Sequence, residues 1–354
     1  MGKFNFDTKL LEKNKQSEIC SIYSAADGIE RSLEENKDLI KKLAIEMYKY
    51  NPERILFVGS GASYCTLYTG YYFLRTNSSI WTVHSFGPEI ISDNPLFLEK
   101  SRTLAILSSY SGKTEDTLLA SSFLKKKNIP ILALTKSEDN PLAKSADFVL
   151  AYHDKCLYTS AMANLLMLLS HYMILNGESD NAINLQNALL KVPDDMRHIQ
   201  ALSEEKALVA LDKVKEDNFF YVLGDGALWA LAYQFGYTNL MEYSRVHAAC
   251  LRSCEWRHGP LELLSKKPAM IMFIGNDASR PWAIVTKNYC EKNGANIVTF
   301  DVKDYVNTNP VLAPFILHQV SQFFFLYQST QRGIDMDDYL EMHVKPYKPG
   351  ENYF

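Results

Sequence analysis

Apolar positions along the chain alternate between two rhythms. Short unbroken runs predict buried strands: Ile55-Leu56-Phe57-Val58, Leu104-Ala105-Ile106-Leu107, Ile131-Leu132-Ala133-Leu134 and Phe148-Val149-Leu150. Trp81-Thr82-Val83-His84-Ser85 reads as another strand. Between them, residues 29–50, 62–75 and 118–127 carry apolar side chains at helical spacing, and Asn51-Pro52 ends the first of these helices. An apolar helix over 160–175 follows, then a long charged one opened by Pro193-Asp194. The alternation then restarts. Phe219-Phe220-Tyr221-Val222-Leu223 predicts a strand, Gly224-Asp225-Gly226 a tight turn, and 227–243 a helix. Ala269-Met270-Ile271-Met272-Phe273-Ile274 and Ile297-Val298-Thr299-Phe300 predict two further strands. Strands alternating with helices imply βαβ units and parallel sheets covered on both faces. The expectation is therefore an α/β chain of two tandem three-layer αβα domains, 1–175 and 218–354, joined by a helical connection over 176–217. The run Phe323-Phe324-Phe325-Leu326-Tyr327 reads as core or subunit interface within a closing helix.

One strand-to-helix turn stands out. Ser108-Ser109-Tyr110-Ser111-Gly112-Lys113-Thr114 follows the Leu104–Leu107 run and leads into a helix. Helix starts present free N–H groups and the positive end of the dipole, which suits an anion. A helix cap needs one hydroxyl, whereas this loop offers Ser109, Ser111 and Thr114 together, so a phosphate monoester is the favoured ligand. Gly59-Ser60-Gly61-Ala62-Ser63-Tyr64 forms a similar turn after the first strand, and both turns lie where parallel sheets bind ligands. Two sharper phosphate motifs do not fit. A Walker loop needs glycine where Leu107 stands, and the third glycine of a dinucleotide fingerprint is replaced by Tyr64. Neither ATP nor NAD is expected. The matching turn of the second half, Gly275-Asn276-Asp277-Ala278-Ser279-Arg280, lacks the hydroxyl cluster, so a single phosphate site is expected, in the first half.

Composition narrows the class. The 354 residues are 47% hydrophobic and 22% charged, with a formal net charge of -4, the profile of a folded chain without electrostatic affinity for nucleic acid or an anionic membrane. The first residues contain no signal-peptide apolar core, and no apolar stretch is long enough to span a bilayer. Six scattered cysteines are those expected of reduced thiols in a cytoplasmic protein.

The second half carries candidate acid–base chemistry. Glu242, His247, Glu255 and His258 fall within one short span, and Gly259-Pro260 leaves His258 in a loop. A carboxylate and an imidazole support proton transfer near neutral pH. The plainer alternative makes Glu242 and Glu255 surface or cap residues and His247 a satisfied core histidine. His247, Cys250, Cys254 and His258 also have compressed zinc-like spacing, but a strand over 247–251 would point alternate side chains to opposite faces, and no metal is expected.

Together, Gly61-Ala62-Ser63, Ser109-Tyr110-Ser111-Gly112-Lys113-Thr114 and Glu242…His247…Glu255-Trp256-Arg257-His258-Gly259-Pro260 resemble the sugar isomerase (SIS) family over nearly the whole chain, as two tandem SIS domains. Glu255-Trp256-Arg257-His258-Gly259-Pro260-Leu261-Glu262, Gly275-Asn276-Asp277 and Leu312-Ala313-Pro314-Phe315 are similar to the fructoselysine-6-phosphate deglycases within that family. The isomerase half of glucosamine-6-phosphate synthase is a more distant likeness. The resemblance implies that Ser63, Ser109, Ser111 and Thr114, with backbone help from Tyr110, bind the substrate phosphate beside Gly61. It implies that Glu242 moves a proton between C1 and C2, that His258 assists ring opening, and that His247 and Glu255 support the site. It further implies a phosphosugar substrate, no cofactor, and a homodimer or higher homo-oligomer in which the histidine segment comes from a neighbouring subunit. Lys345 is either the counterpart of a C-terminal lysine that engages the open sugar in the synthase or a solvated tail residue. The activity implied is deglycation of a 6-phosphorylated Amadori compound. An isomerase or aminating enzyme of the synthase type and a non-catalytic sugar-phosphate sensor are the alternatives.

Overall fold

The structure, a computed structural model, describes residues 4–341. Five strands form the first sheet: β1 (Arg54–Val58), β2 (Trp81–Ser85), β3 (Thr103–Ser108), β4 (Ile131–Thr135) and β5 (Phe148–Ala151), in the order β2-β1-β3-β4-β5 with every pair parallel. Four more form the second: β6 (Phe219–Gly224), β7 (His247–Leu251), β8 (Ala269–Ile274) and β9 (Asn296–Asp301), in the order β7-β6-β8-β9 and again parallel throughout. The fold is thus α/β with two helix-flanked parallel sheets.

The unbroken apolar runs are explained by burial on both faces. In the first sheet Leu56, Val58, Ala105, Leu107 and Ala133 pack beneath Ala120 and Leu124 of the helix Glu115–Lys126. Their neighbours Ile55, Phe57, Leu104, Ile106 and Leu132 face the other way, into a central cluster. The second sheet divides likewise: Leu223, Met270 and Met272 face outward, and Phe220, Val222, Ile271 and Phe273 face the same central cluster. Both sheets therefore share one apolar core. It is filled by the helices Ala25–Tyr50, Gly61–Asn77, Leu157–Leu175, Ser179–Leu189, Val192–Val214 and Ala313–Gln331. The aromatic run 323–327 lies inside this core. The helical stretch Pro310–Gln331 is long and apolar enough to cross a membrane, but 94% of its most apolar window is buried in the protein.

One element departs from expectation. The helix over 227–243 is not uniform: a 3-10 turn Gly226–Leu228 and an α-helix Trp229–Gln234 give way to a π-helical run, Phe235–Tyr243. The wide turns are visible where Ser244 N donates to Asn239 O at 3.0 Å, five residues back. They coincide with Gly236, which lies so close to β7 that a Cβ there would collide with Cys250 Sγ. Extended π-helix is rare and is found mostly at functional sites.

Two polar devices fix the long helices. Asp154, buried, receives Arg31 Nη2 at 2.9 Å and the Ser160 hydroxyl, and Lys155 N donates to it at 2.9 Å. Asn36 Nδ2 reaches Ala151 O at 2.7 Å and Asn164 Oδ1 at 2.8 Å, while Asn164 Nδ2 donates to Ser32 Oγ at 2.9 Å. Together they tie the end of β5 and the helix Leu157–Leu175 to the helix Ala25–Tyr50. At the start of the chain, Asn14 Nδ2 donates to Thr330 Oγ1 at 3.1 Å and Ile334 O at 3.0 Å, and Gln319 Nε2 donates to Ile22 O at 3.2 Å. The N-terminal segment thus lies against the last helix. Replacing Asp154 by alanine leaves Ser160 and the Lys155 amide without their shared acceptor. A loss of about 2–3 kcal/mol is expected, read as a lower urea midpoint with an unchanged slope.

Candidate functional site

The hydroxyl loop sits at the carboxyl end of β3, beside the turn after β1. These strands are neighbours in register, Val58 opposite Leu107, so the turns that lead to Gly61 and Ser63 and to Ser109–Thr114 leave the sheet at the same end, side by side. Ser109 is buried; its Oγ accepts from Gly112 N at 3.1 Å and pairs with Thr114 Oγ1 at 2.9 Å. Ser111 Oγ accepts from Lys113 N at 3.1 Å. Gly112 is required twice over. Its φ is +63°, and a Cβ would strike Asn140 Oδ1, the atom that caps the next helix by accepting from Ala143 N at 2.9 Å. Thr114 is the N-cap of Glu115–Lys126 and makes no side-chain cap bond of its own. A further cation was not expected here. Lys136, at the end of β4, donates from Nζ to the Tyr110 hydroxyl at 2.7 Å, and that bond is the main cause raising its pKa. The loop therefore offers clustered hydroxyls, a helix N-terminus and a nearby ammonium.

A cavity of about 130 Å³ opens beside this loop. Ala62 and Tyr110 form one wall, at the ends of β1 and β3. Gln234, Asn239 and Tyr243, from the π-helical element and the residue before it, line it as well. His318 of the last helix and Tyr158 also line it, and the exposed Glu18 and Lys155 stand among its lining residues. Burial alone pushes the His318 imidazole down to about 3, so it is neutral at ordinary pH. Burial, and then the charge of Glu242, push the Tyr243 hydroxyl up.

Glu242 is half-buried in the π-helical run, within hydrogen-bonding reach of Tyr243. The structure separates it from His258. Glu242 precedes β7, whereas His258 follows it, exposed, with Arg257 Nε 3.3 Å from its Nε2. Five residues at roughly 3.3 Å each put more than ~13 Å of strand between the two ends. Glu255 is exposed and accepts from Arg252 N at 2.9 Å, a capping role, and His247 is exposed as the first residue of edge strand β7. Cys250 Sγ turns towards the Ala232 and Tyr233 carbonyls, away from Cys254 and His258, and among the described residues no three His, Cys, Asp or Glu side chains gather as a metal would need. Lys345 lies outside the described residues.

The sequence reading missed the cavity wall of Tyr158, Gln234, Asn239 and His318, and also Lys136. One signal was present: His318, Gln319, Gln322 and Gln328 interrupt an otherwise apolar helix, and uncompensated polar residues in a core helix point to a lined cavity.

Comparison with known proteins places these observations. The SIS domain model matches residues 49–176, the part that holds the first sheet and the hydroxyl loop. The chain is 25% identical over 316 residues to the fructoselysine 6-phosphate deglycase of Escherichia coli (strain K12), covering 88% of this chain and 91% of that protein. It is 26% identical over 287 residues to the fructosamine deglycase of Bacillus subtilis (strain 168), covering 76% and 84%. Among solved structures, the C-terminal domain of glucosamine-fructose-6-phosphate aminotransferase from Francisella tularensis superposes with a TM-score of 0.81 at 18% identity, over 92% of this chain and 99% of that one, a likeness of fold.

The depressed His318 pKa has a sign that can be checked. The unfolded imidazole takes up a proton below about pH 6.5 and the folded one does not, so stability falls as pH drops below that value. By pH 5 this single group costs about 2 kcal/mol. His318→Phe should remove that share of the pH dependence of the urea midpoint between pH 7 and 5.

Proposed function

We propose that this chain, an enzyme of the SIS family, is a phosphosugar deglycase that releases glucose 6-phosphate and an amine from a 6-phosphorylated Amadori compound in the cytoplasm. The observation that carries this reading is the cavity itself. Tyr110 of the hydroxyl loop and Tyr243, the neighbour of Glu242, both line it, which supports one ligand reaching the loop with its phosphate and Glu242 with its reacting carbons. The names and coverage of the curated relatives support the deglycase in preference to a plain isomerase.

The chemistry uses only groups of this chain. Ser63, Ser109, Ser111 and Thr114, with the Tyr110 backbone, hold the phosphate, and binding energy gathered there orients the distant carbons. In the open form, C2 is a ketone and C1 carries the amine. The Glu242 carboxylate takes a proton from C1, and the electron pair moves through C1–C2 to the C2 oxygen, which is protonated to give an enaminol. Glu242 returns the proton to C2, and the C1–nitrogen bond becomes an imine. Water adds at C1, the C1–nitrogen bond breaks, and the aldehyde of glucose 6-phosphate leaves with a free amine. Tyr243 beside Glu242 carries a raised pKa and so stays a neutral donor through these steps.

Ring opening is assigned to His258 of a second subunit. Its exposure, and its place beyond the far end of β7 from Glu242, support a site completed across a homodimer or higher homo-oligomer.

Purified protein given 6-phosphofructosyl-lysine should produce glucose 6-phosphate, followed as NADPH through glucose-6-phosphate dehydrogenase. Glu242→Gln should lose at least ~1,000-fold in kcat with a KM change of less than ~3-fold; full turnover by that variant would overturn the assignment of the base. Glu242→Gln and His258→Ala proteins, each inactive alone, should regain about a quarter of wild-type activity after mixing, dissociation and reassembly, because half the dimers then hold one intact site. Continued inactivity in reassembled hybrids would place both groups in one subunit.

A further inference from the structure

Four of the cavity's lining side chains are more than nine-tenths buried: His318, Tyr158, Gln234 and Asn239 are 2%, 4%, 8% and 2% exposed. Each keeps a buried polar atom without a protein partner: both His318 ring nitrogens, the Tyr158 hydroxyl, Gln234 Oε1 and Asn239 Oδ1. Buried polar groups are almost always satisfied, and leaving one unpaired is costly. All four residues line one void. They come from three places in the chain: the helix after β5, the element carrying Glu242, and the last helix.

The chemistry of the set defines the partner. A neutral imidazole offers one donor and one acceptor, the tyrosine adds a donor, and the two amide oxygens accept. No charged side chain belongs to this buried group, and its position keeps His318 uncharged. Glu18 and Lys155 also line the cavity but are exposed, so a carboxylate or an ammonium held by these four residues alone would lack a counter-charge. Vicinal hydroxyls, each donor and acceptor at once, match the set. The ring of His318 is also held in place, 4.9 Å between centroids from that of Tyr158. We infer that His318, Tyr158, Gln234 and Asn239 form a subsite for the hydroxyl groups of an open-chain sugar phosphate, with His318 bridging neighbouring hydroxyls. The inference rests on the sugar-phosphate reading above and adds the residues that select a polyol chain. The substituent on C1 then leaves towards the exposed Glu18 and Lys155.

The test compares two phosphate monoesters by calorimetry. Glucitol 6-phosphate carries the full hydroxyl chain and cannot react; glycerol 3-phosphate carries the same phosphate on a short chain. His318→Phe keeps the stacked ring and removes both nitrogens, and Tyr158→Phe removes only a hydroxyl. Each is expected to weaken glucitol 6-phosphate about tenfold and to leave glycerol 3-phosphate within twofold of wild type. His318→Gln, which restores a donor and an acceptor, should recover most of the loss. Equal weakening of both ligands, or of neither, in a variant that melts as wild type would overturn the subsite; the second result assigns the orphaned atoms to buried water. Wild-type protein that fails to bind glucitol 6-phosphate also overturns it. The deglycase reading fails separately: protein that binds glucitol 6-phosphate in a His318-dependent way but turns over no Amadori compound keeps the subsite and loses the reaction.

Discussion

A carboxylate buried at the end of a strand organises the ligand side of this protein. Asp154 cannot stay buried and charged without partners, and those partners come from separate elements: Arg31 from the helix Ala25–Tyr50 and Ser160 from the helix Leu157–Leu175. Satisfying it fixes the chain at Lys155 and Cys156, and both line the cavity. Position 28 is also constrained, because a side chain on Gly28 would run into the same carboxylate. One electrostatic requirement thereby sets the spacing of two long helices and the shape of the rim.

The two halves contribute unlike chemistry to a shared void. The first half lines it with Tyr110, Lys155 and Tyr158; the second lines it with Gln234, Asn239, Tyr243 and His318, mostly neutral hydrogen-bonding side chains. At the corresponding ends of the second sheet the hydroxyls are replaced by carboxylates. Asp277 accepts from Ala227 N at 3.0 Å and from the Tyr72 hydroxyl at 3.0 Å, and Asp225 accepts from Ser253 N at 3.0 Å. Burial raises the Asp225 pKa. Asp277 thereby braces the contact between the halves, and carboxylates stand where the first sheet has its hydroxyl loop.

The strands and the hydroxyl loop were legible in the sequence because each is local. Unbroken runs such as Leu104–Leu107 can hardly be anything but doubly buried strand, and the loop packs its donors into a few consecutive residues. The cavity was not legible. Its walls combine Glu18, Tyr158, Asn239 and His318, which no periodicity connects, and only the shared core brings them together. The π-helical run was hidden for another reason. Residues 235–243 keep a pattern acceptable to an α-helix, and the deviation arises where Gly236 meets Cys250 on another element. Closeness along the chain is not closeness in space: Glu242 and His258 belong to one short segment, yet β7 runs between them.

The contact between the N-terminal segment and the last helix bears on how the protein is made. Ser21 and Ile22 are held by Gln322 and Gln319, and His318 supplies part of the cavity lining. A chain emerging from the ribosome can complete its first sheet and hydroxyl loop long before those glutamines appear. Until then Glu18–Ser21 has no surface to lie on, and the cavity lacks the part lined by the last helix. Competence for catalysis would therefore arrive in one late step, when the last long helix docks and closes contacts more than 290 residues apart in sequence. A nascent chain with an intact hydroxyl loop would still lack a complete cavity until the last helix has emerged and docked.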